Sequence, residues 1–155
     1  MGIARHIQSH FDLSDVLFSG ASGGCWPALL LAAGVDIQYA FDVMMERSVP
    51  CYKNRALGAY GCYDVGMKAA FYHIFDGVDL PARVNGRLAL CVTRIELWPF
   101  PHLENEMVSH FTSNDDIIEC IIASALIPFA LNGKPYVVYR DWVCIDGGMT
   151  NIAGV

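Results

Sequence analysis

The stretch Val16-Leu17-Phe18-Ser19-Gly20-Ala21-Ser22-Gly23-Gly24 decides how the rest of the chain is interpreted. An apolar run with strand character meets a serine between glycines, and the helix-forming run 25–33 follows. In this context a G-x-S-x-G pentapeptide is typical of a nucleophile elbow, which aims the serine hydroxyl into a cleft. The start of the helix favours a developing oxyanion, to which the N–H of Gly23 can donate. The sequence therefore predicts Ser22 as a nucleophile, and an ordinary Gly/Ser turn is the alternative. The predicted elbow and oxyanion residues are Gly20, Gly23 and Gly24.

Composition narrows the classes of function. The chain has 155 residues, enough for one domain, and 54% of them are hydrophobic. This content indicates either a lipid-facing surface or a piece of a larger domain whose other parts cover apolar faces. The net charge is −6 and the ten Lys and Arg are scattered, so no nucleic-acid partner is predicted. The polar start of the chain does not resemble a secretory signal, and no apolar run is long enough to span a bilayer. Any lipid contact is therefore predicted to be peripheral.

The cysteines indicate the redox environment. The chain has six, at positions 25, 51, 62, 91, 120 and 144, without a C-x-x-C motif or a metal-like pairing with histidines. Several lie in apolar runs, so buried free thiols are expected rather than disulfides. Free thiols are typical of a reducing compartment, which favours a cytoplasmic location.

Hydrophobic patterning predicts alternating helices and strands. Strands alternating with helices are typical of an α/β fold, here a three-layer sandwich with a mostly parallel central sheet. In such sheets, ligands gather at the carboxyl ends of strands, and both Ser22 and Asp146 directly follow a predicted strand. The predicted helices are residues 2–11, 25–33, 36–47, 65–75 and 115–125, and the predicted strands are 16–19, 87–95, 106–111, 136–139 and 142–145.

Asp146-Gly147-Gly148 is the best candidate partner for the serine. A serine nucleophile needs a group that accepts its proton. A carboxylate at a strand end, followed by two glycines that let another backbone approach, is suited to contact the serine hydroxyl directly. Alone, Asp-Gly would be interpreted as a β-turn. Together with the elbow, it predicts Asp146 as the base.

A histidine-containing triad is the alternative. The usual α/β-hydrolase order is serine, acid, histidine, and no histidine follows Asp146. None of the histidines lies in a convincing motif. A triad would have to combine Asp64, Asp76 or Asp79 with His102 or His110.

The two motifs resemble those of the patatin-like phospholipase family, which uses a Ser-Asp dyad with the serine in G-x-S-x-G and the aspartate in D-G-G or D-G-A. Residues 123–129, Ala-Ser-Ala-Leu-Ile-Pro-Phe, resemble the family's A-S-x-A-x-P segment, and Asn151 resembles its asparagine after the aspartate. The resemblance implies a single partial domain over 1–155 that acts as a phospholipase A or acylglycerol lipase. Ser22 would form the acyl-enzyme with Asp146 as base, without metal or other cofactor. It also implies a phospholipid or acylglycerol substrate at a peripheral membrane or lipid-droplet surface.

The chain also departs from the family pattern. Family members carry a glycine-rich loop before the first helix that supplies N–H groups to the oxyanion hole, and this chain begins where that loop would end. The resemblance therefore implies truncation at this loop and at the C-terminus. The second hypothesis is a catalytically weak patatin-fold lipid-binding or regulatory protein that lacks a complete oxyanion hole.

Overall fold

Residues 1–149 are described by a computed structural model in which helices and strands are interspersed. Asn151 lies outside the described residues. The helices are α1 (Gly2–His10), α2 (Cys25–Ala32), α3 (Ile37–Tyr52), α4 (Tyr63–Ile74), α5 (Leu80–Val84) and α6 (Asn114–Ser124). The strands are β1 (Phe18–Ala21), β2 (Leu88–Glu96), β3 (His102–Val108), β4 (Val137–Tyr139) and β5 (Trp142–Ile145). A short 3-10 turn, Ser22–Gly24, joins β1 to α2.

Strand β2 is the centre of the sheet, and three strands pair with it. Strand β3 runs antiparallel along one edge, from the Leu90–Val108 pair to the Glu96–His102 pair. Strand β1 pairs parallel with the first half of β2 and ends at Ala21, opposite Cys91. Strand β5 pairs antiparallel with β2 at Thr93 and Arg94, and β4 extends the sheet beyond β5.

Strands β1 and β5 share one edge of β2. Leu90 pairs with both β1 and β3, and Thr93 pairs with both β5 and β3. A strand has only two edges, so β1 and β5 both lie on the edge opposite β3. Since one is parallel to β2 and the other antiparallel, they run toward each other. Their carboxyl ends meet beside Val92.

The α/β class is confirmed, but the prediction of a mostly parallel sheet is wrong. Within residues 1–149, β1–β2 is the parallel pair, and the other three pairs are antiparallel. For β2–β3 and β4–β5 the cause is the length of the connection, because short loops can join only antiparallel neighbours. Five residues, 97–101, join β2 to β3. Arg140 and Asp141, both with positive φ, form the two-residue turn between β4 and β5. The three-layer arrangement stays a prediction.

Helix α2 lies in the core. Seven of its eight residues are buried, as the all-apolar sequence predicts. Gly34, at φ +69°, follows the helix in the left-handed conformation that glycine adopts most readily. The surrounding core draws on α4, β2 and α6, with Phe71, Leu90 and Ile121 all fully buried. Among the helices of residues 1–149, none has the length and apolar character needed to cross a bilayer.

Candidate active site

The structure places Ser22 on a sharp turn directly after β1. Its φ is +53°, in the left-handed region that residues with a side chain rarely adopt. A Cβ on Gly20 would lie 2.8 Å from the carbonyl oxygen of Gly24 and 2.9 Å from the Cα of Cys25. The turn is therefore tight enough to require glycine at position 20. A Cβ on Gly23 or Gly24 would meet no atom within 4 Å, so no steric clash requires glycine at these two positions.

Asp146 directly follows β5 and faces Ser22. The Ser22 hydroxyl donates a hydrogen bond to Oδ2 of Asp146 at 2.6 Å. The other carboxylate oxygen, Oδ1, accepts the backbone N–H of Gly148 at 2.8 Å. The Asp146 residue is 6% exposed. One oxygen is therefore fixed by backbone while the other remains directed at the serine.

The glycines after Asp146 allow close packing. A Cβ on Gly147 would lie 2.0 Å from the carbonyl oxygen of Cys91, on the central strand. A Cβ on Gly148 would lie 3.1 Å from Oδ1 of Asp146 and 4.0 Å from the Cβ of Ser22. The segment that carries the carboxylate therefore lies against β2, and a larger residue would displace it.

Ser124, the last residue of α6, contacts both halves of the site. Its hydroxyl oxygen accepts the N–H of Ser22 at 2.9 Å, and its carbonyl accepts the N–H of Gly147 at 2.7 Å. Two residues on, the carbonyl of Leu126 accepts the N–H of Asp146 at 2.9 Å. Sequence reasoning gave Ser124 no role of its own. The available signal was its place in the segment 123–129, which resembles the A-S-x-A-x-P segment named above.

An apolar cavity of ≈ 380 Å³ opens beside Ser22 and Gly23. Its walls come from segments 59–63 and 125–131, and include Tyr60, Ile127 and Leu131. Two backbone hydrogen bonds tie the segments together: Gly61 N–H to Ala130 O at 2.8 Å, and Tyr63 N–H to Leu131 O at 2.6 Å. A mostly apolar pocket with one reactive polar group at its mouth suits an acyl chain whose carbonyl lies at the serine.

Cys25, three residues after Ser22, is not a competing nucleophile. Cys25 is fully buried, and its sulfur lies 3.0 Å from the hydroxyl oxygen of Ser124. Burial raises the pKa of the Cys25 thiol to about 12. Since the thiolate is the reactive form, this thiol is inert at neutral pH.

The structure does not bring the alternative triad residues to Ser22, whose hydroxyl donates to Asp146. The ring Nδ1 of His102 lies 2.9 Å from the carbonyl oxygen of Phe100, and His110 is exposed. Asp64 and Asp79 accept backbone N–H groups at the start of α4 and α5, and Asp76 is exposed. Among the side chains of residues 1–149, no cluster of three or more His, Cys, Asp or Glu could hold a metal ion.

Comparison with known proteins finds a weak similarity. No protein-family model matches the sequence. The chain is similar to human omega-hydroxyceramide transacylase, with 29% identity over 137 residues. The alignment covers 87% of this chain and 24% of the relative, so the chain spans about a quarter of the length of that protein.

Proposed function

We propose that this chain is a serine-dependent lipid acyl hydrolase of the patatin type, with Ser22 as nucleophile and Asp146 as base. The observation that carries the proposal is the 2.6 Å hydrogen bond between these side chains, formed by a serine at φ +53°. The apolar cavity beside Ser22 supports an acyl substrate. So does the similarity to a relative named as a transacylase of a ceramide lipid.

Acylation begins with attack of Ser22 Oγ on the carbonyl carbon of the ester. The hydroxyl proton moves to Oδ2 of Asp146, which already accepts its hydrogen bond. The N–H of Gly23, in the first turn after the nucleophile, donates to the oxyanion. Collapse of the tetrahedral intermediate breaks the ester C–O bond. The leaving alcohol takes the proton from Asp146, and the acyl group remains on Ser22.

Deacylation uses the same carboxylate. Asp146 accepts a proton from water as the water oxygen attacks the acyl-enzyme carbonyl. The second intermediate collapses with cleavage of the bond to Ser22 Oγ, which recovers the proton from Asp146. The free fatty acid leaves, and the starting hydrogen bond is restored. Two residues suffice because Asp146 faces the serine without a histidine between them.

The substrate class we propose is a phospholipid or an acylglycerol, met at a membrane or lipid-droplet surface from the cytoplasmic side. The chain would act as a single partial acyl-hydrolase domain over 1–155. No metal or organic cofactor takes part in these steps.

A second candidate is acyl transfer to an alcohol. It is favoured by the similarity to a relative that is named as a transacylase. The first half-reaction is identical, and the hydroxyl of an acceptor lipid replaces water in the second. Asp146 would then deprotonate the acceptor, and the product would be a new ester rather than a free acid.

The test is covalent labelling of the purified chain with a fluorophosphonate, followed by hydrolysis of p-nitrophenyl esters. We expect labelling and turnover in the native protein, and loss of both in Ser22→Ala. The matched control is Ser19→Ala, an exposed serine in the same strand, which should behave like the parent. Labelling that persists in Ser22→Ala would contradict the proposal. Lipid binding without labelling or turnover would instead support the non-enzymatic lipid-binding hypothesis.

The same protein separates hydrolysis from transfer. A phospholipid donor is incubated with and without a long-chain alcohol, and the products are resolved by mass spectrometry. Free fatty acid as the main product in both cases supports the hydrolase. A new ester that forms at the expense of the acid supports the transacylase.

A further inference from the structure

The connection between β2 and β3 carries an exposed apolar cap, Leu97-Trp98-Pro99-Phe100, which we term the hairpin tip. We propose that the hairpin tip inserts into a lipid surface without net charge and docks the protein there. This inference deepens the proposed function, and to that extent rests on it, because it names the element that holds the site at the surface of its substrate. The binding itself depends only on the properties of the hairpin.

The hairpin tip exposes three large apolar side chains within four residues. Trp98 is 85% exposed, Phe100 is 78% exposed and Leu97 is 69% exposed. Single exposed apolar residues are ordinary, but a contiguous group of large ones marks an interaction site. Of the other two tryptophans, Trp26 is buried and Trp142 is half-buried. Trp98 is therefore the tryptophan that solvent, or a lipid, can reach fully.

The backbone of the hairpin tip is suited to transfer from water into a lipid phase. Polar backbone groups that enter a lipid phase without partners are costly, and proline has no N–H to desolvate. Pro99 and Pro101 remove two donors from this five-residue connection. The carbonyl oxygen of Phe100 already lies 2.9 Å from Nδ1 of His102. Tryptophan also favours the boundary between water and lipid, where its apolar ring and its N–H are both accommodated.

The charged side chains at the base of the hairpin determine which type of lipid the hairpin tip can approach. Arg94 lies among three carboxylates: it pairs with Glu96 at 3.0 Å, with Glu106 at 3.1 Å, and with Glu104. This base of the hairpin is therefore acidic overall, as is the chain, whose net charge is −6. An acidic base opposes approach to anionic lipids. Insertion is consequently driven by apolar burial, and the fitting surface is zwitterionic or neutral.

The size of the hairpin tip favours a lipid over a protein partner. Three side chains of this kind offer on the order of 500 Å² of surface. A stable protein–protein interface buries about 800 Å² on each partner. A convex tip that falls short of this area can still insert into a lipid surface, where no complementary face is needed.

The first experiment follows tryptophan fluorescence while phosphatidylcholine vesicles are added to the whole chain, in which Trp98 is the most exposed of the three tryptophans. We expect a blue shift, and quenching when brominated phosphatidylcholine is used. The double variant Trp98→Ala/Phe100→Ala should lose the shift, and its partition into vesicles in co-sedimentation should fall at least tenfold. Leu17→Ser, a change at another exposed apolar residue, is the control and should partition like the parent. The substituted side chains are exposed, so circular dichroism should report an unchanged fold.

The second experiment separates docking from catalysis. Ser22→Ala should bind vesicles as the parent does. The double variant should hydrolyse a soluble p-nitrophenyl ester at the parental rate but lose hydrolysis of vesicle lipid. Vesicle binding by a chain that shows no esterase activity would overturn the proposed function and leave the docking proposal standing.

Three results would overturn the docking proposal. The first is Trp98 emission that vesicles do not change. The second is partition that the double variant retains, or that rises when phosphatidylserine is added. The third is Trp98-dependent self-association in sedimentation velocity without vesicle binding, which would make the hairpin tip a protein contact.

Discussion

The N–H of Ser22 donates a hydrogen bond to the hydroxyl oxygen of Ser124 at 2.9 Å, across 102 residues of sequence. Ser22 has φ +53°, and a residue with a side chain in this region is strained by about 1–3 kcal/mol. Such strain persists only where surrounding contacts oppose its relief. Ser124, which is fully buried, supplies one such contact and also holds Gly147 through its carbonyl. Ser124 is thus a positioning residue for both halves of the candidate site.

Ser124→Ala should therefore reduce turnover more than substrate binding. The substitution leaves the N–H of Ser22 without this acceptor, at a cost of about 1–3 kcal/mol. This hydrogen bond holds Ser22 in position for the transition state. Without it we expect kcat to drop about tenfold to a hundredfold while KM changes little. The measurement is steady-state hydrolysis of a soluble ester well below the unfolding temperature.

Ser113→Ala is the matched control for this experiment. Ser113 caps the other end of α6, where its side chain accepts the N–H of Asp116 at 3.1 Å. Loss of such a cap costs about 1 kcal/mol of stability but does not alter the contact at Ser22. The control should lower the free energy of unfolding and keep kcat. An equal fall of kcat in both variants would show that Ser124 acts only through stability.

Gly147→Ala should destabilise the fold. A Cβ there would lie 2.0 Å from the carbonyl oxygen of Cys91. This is a backbone atom, which cannot rotate away as a side chain could. Overpacking of this kind costs typically 1–3 kcal/mol, and we expect about 3 kcal/mol. The measurement is urea unfolding monitored by circular dichroism.

Gly23→Ala gives the comparison, because its Cβ would meet no atom within 4 Å. This change should leave the free energy of unfolding equal or slightly higher, since alanine is the better helix former. The prediction fails if Gly147→Ala proves as stable as Gly23→Ala.

Two short motifs predict that Ser22 and Asp146 lie close together. They do not predict the strand arrangement that brings the two residues together. Both residues follow strands, as the apolar runs predict. The expected reason was a parallel sheet with its carboxyl ends aligned. In the structure, β1 and β5 instead approach each other along one edge of β2. Strand direction depends on which strands become neighbours, and this long-range choice is not encoded in local periodicity.

Helix α3 shows a second limit of local reasoning. Pro50 predicts a helix end near residue 47, yet α3 continues through it to Tyr52. Tertiary packing explains the difference. The Tyr52 hydroxyl donates to the carbonyl of Tyr63 at 2.9 Å and lies where a Cβ on Gly66 would come within 1.8 Å of it. The fit of α3 against a glycine in α4 outweighs the cost of the proline.

Asp116 should make stability depend on acid pH. Burial opposes its charge, but hydrogen bonds from Arg140, from the N–H of Thr112 and from Tyr139 outweigh burial and lower its pKa to about 2. The unfolded value is about 3.9. Because the folded pKa is the lower one, this stabilisation is present above about pH 4 and is lost as the pH falls toward 2.

We therefore expect Asp116→Asn to lower the free energy of unfolding at pH 7 by about 2 kcal/mol. The difference from the parent should shrink between pH 4 and pH 2, as measured by urea unfolding at each pH. Arg140→Gln removes a cation that lowers this pKa and should weaken the same dependence. Parallel curves for parent and Asp116→Asn across this interval would contradict the assignment.

The cysteines offer a test of burial that is independent of activity. Five of the six are buried free thiols, as the apolar runs predict, and Cys51 is half-exposed. Burial raises the pKa of Cys144 to about 11 and that of Cys120 further, and the reactive thiolate is correspondingly scarce.

In the native protein we expect Ellman's reagent to modify one thiol rapidly, and all six in denaturant without reductant. Cys51→Ser should remove the rapid phase. Rapid modification of further thiols would contradict the buried core, and fewer than six in denaturant would reveal a disulfide.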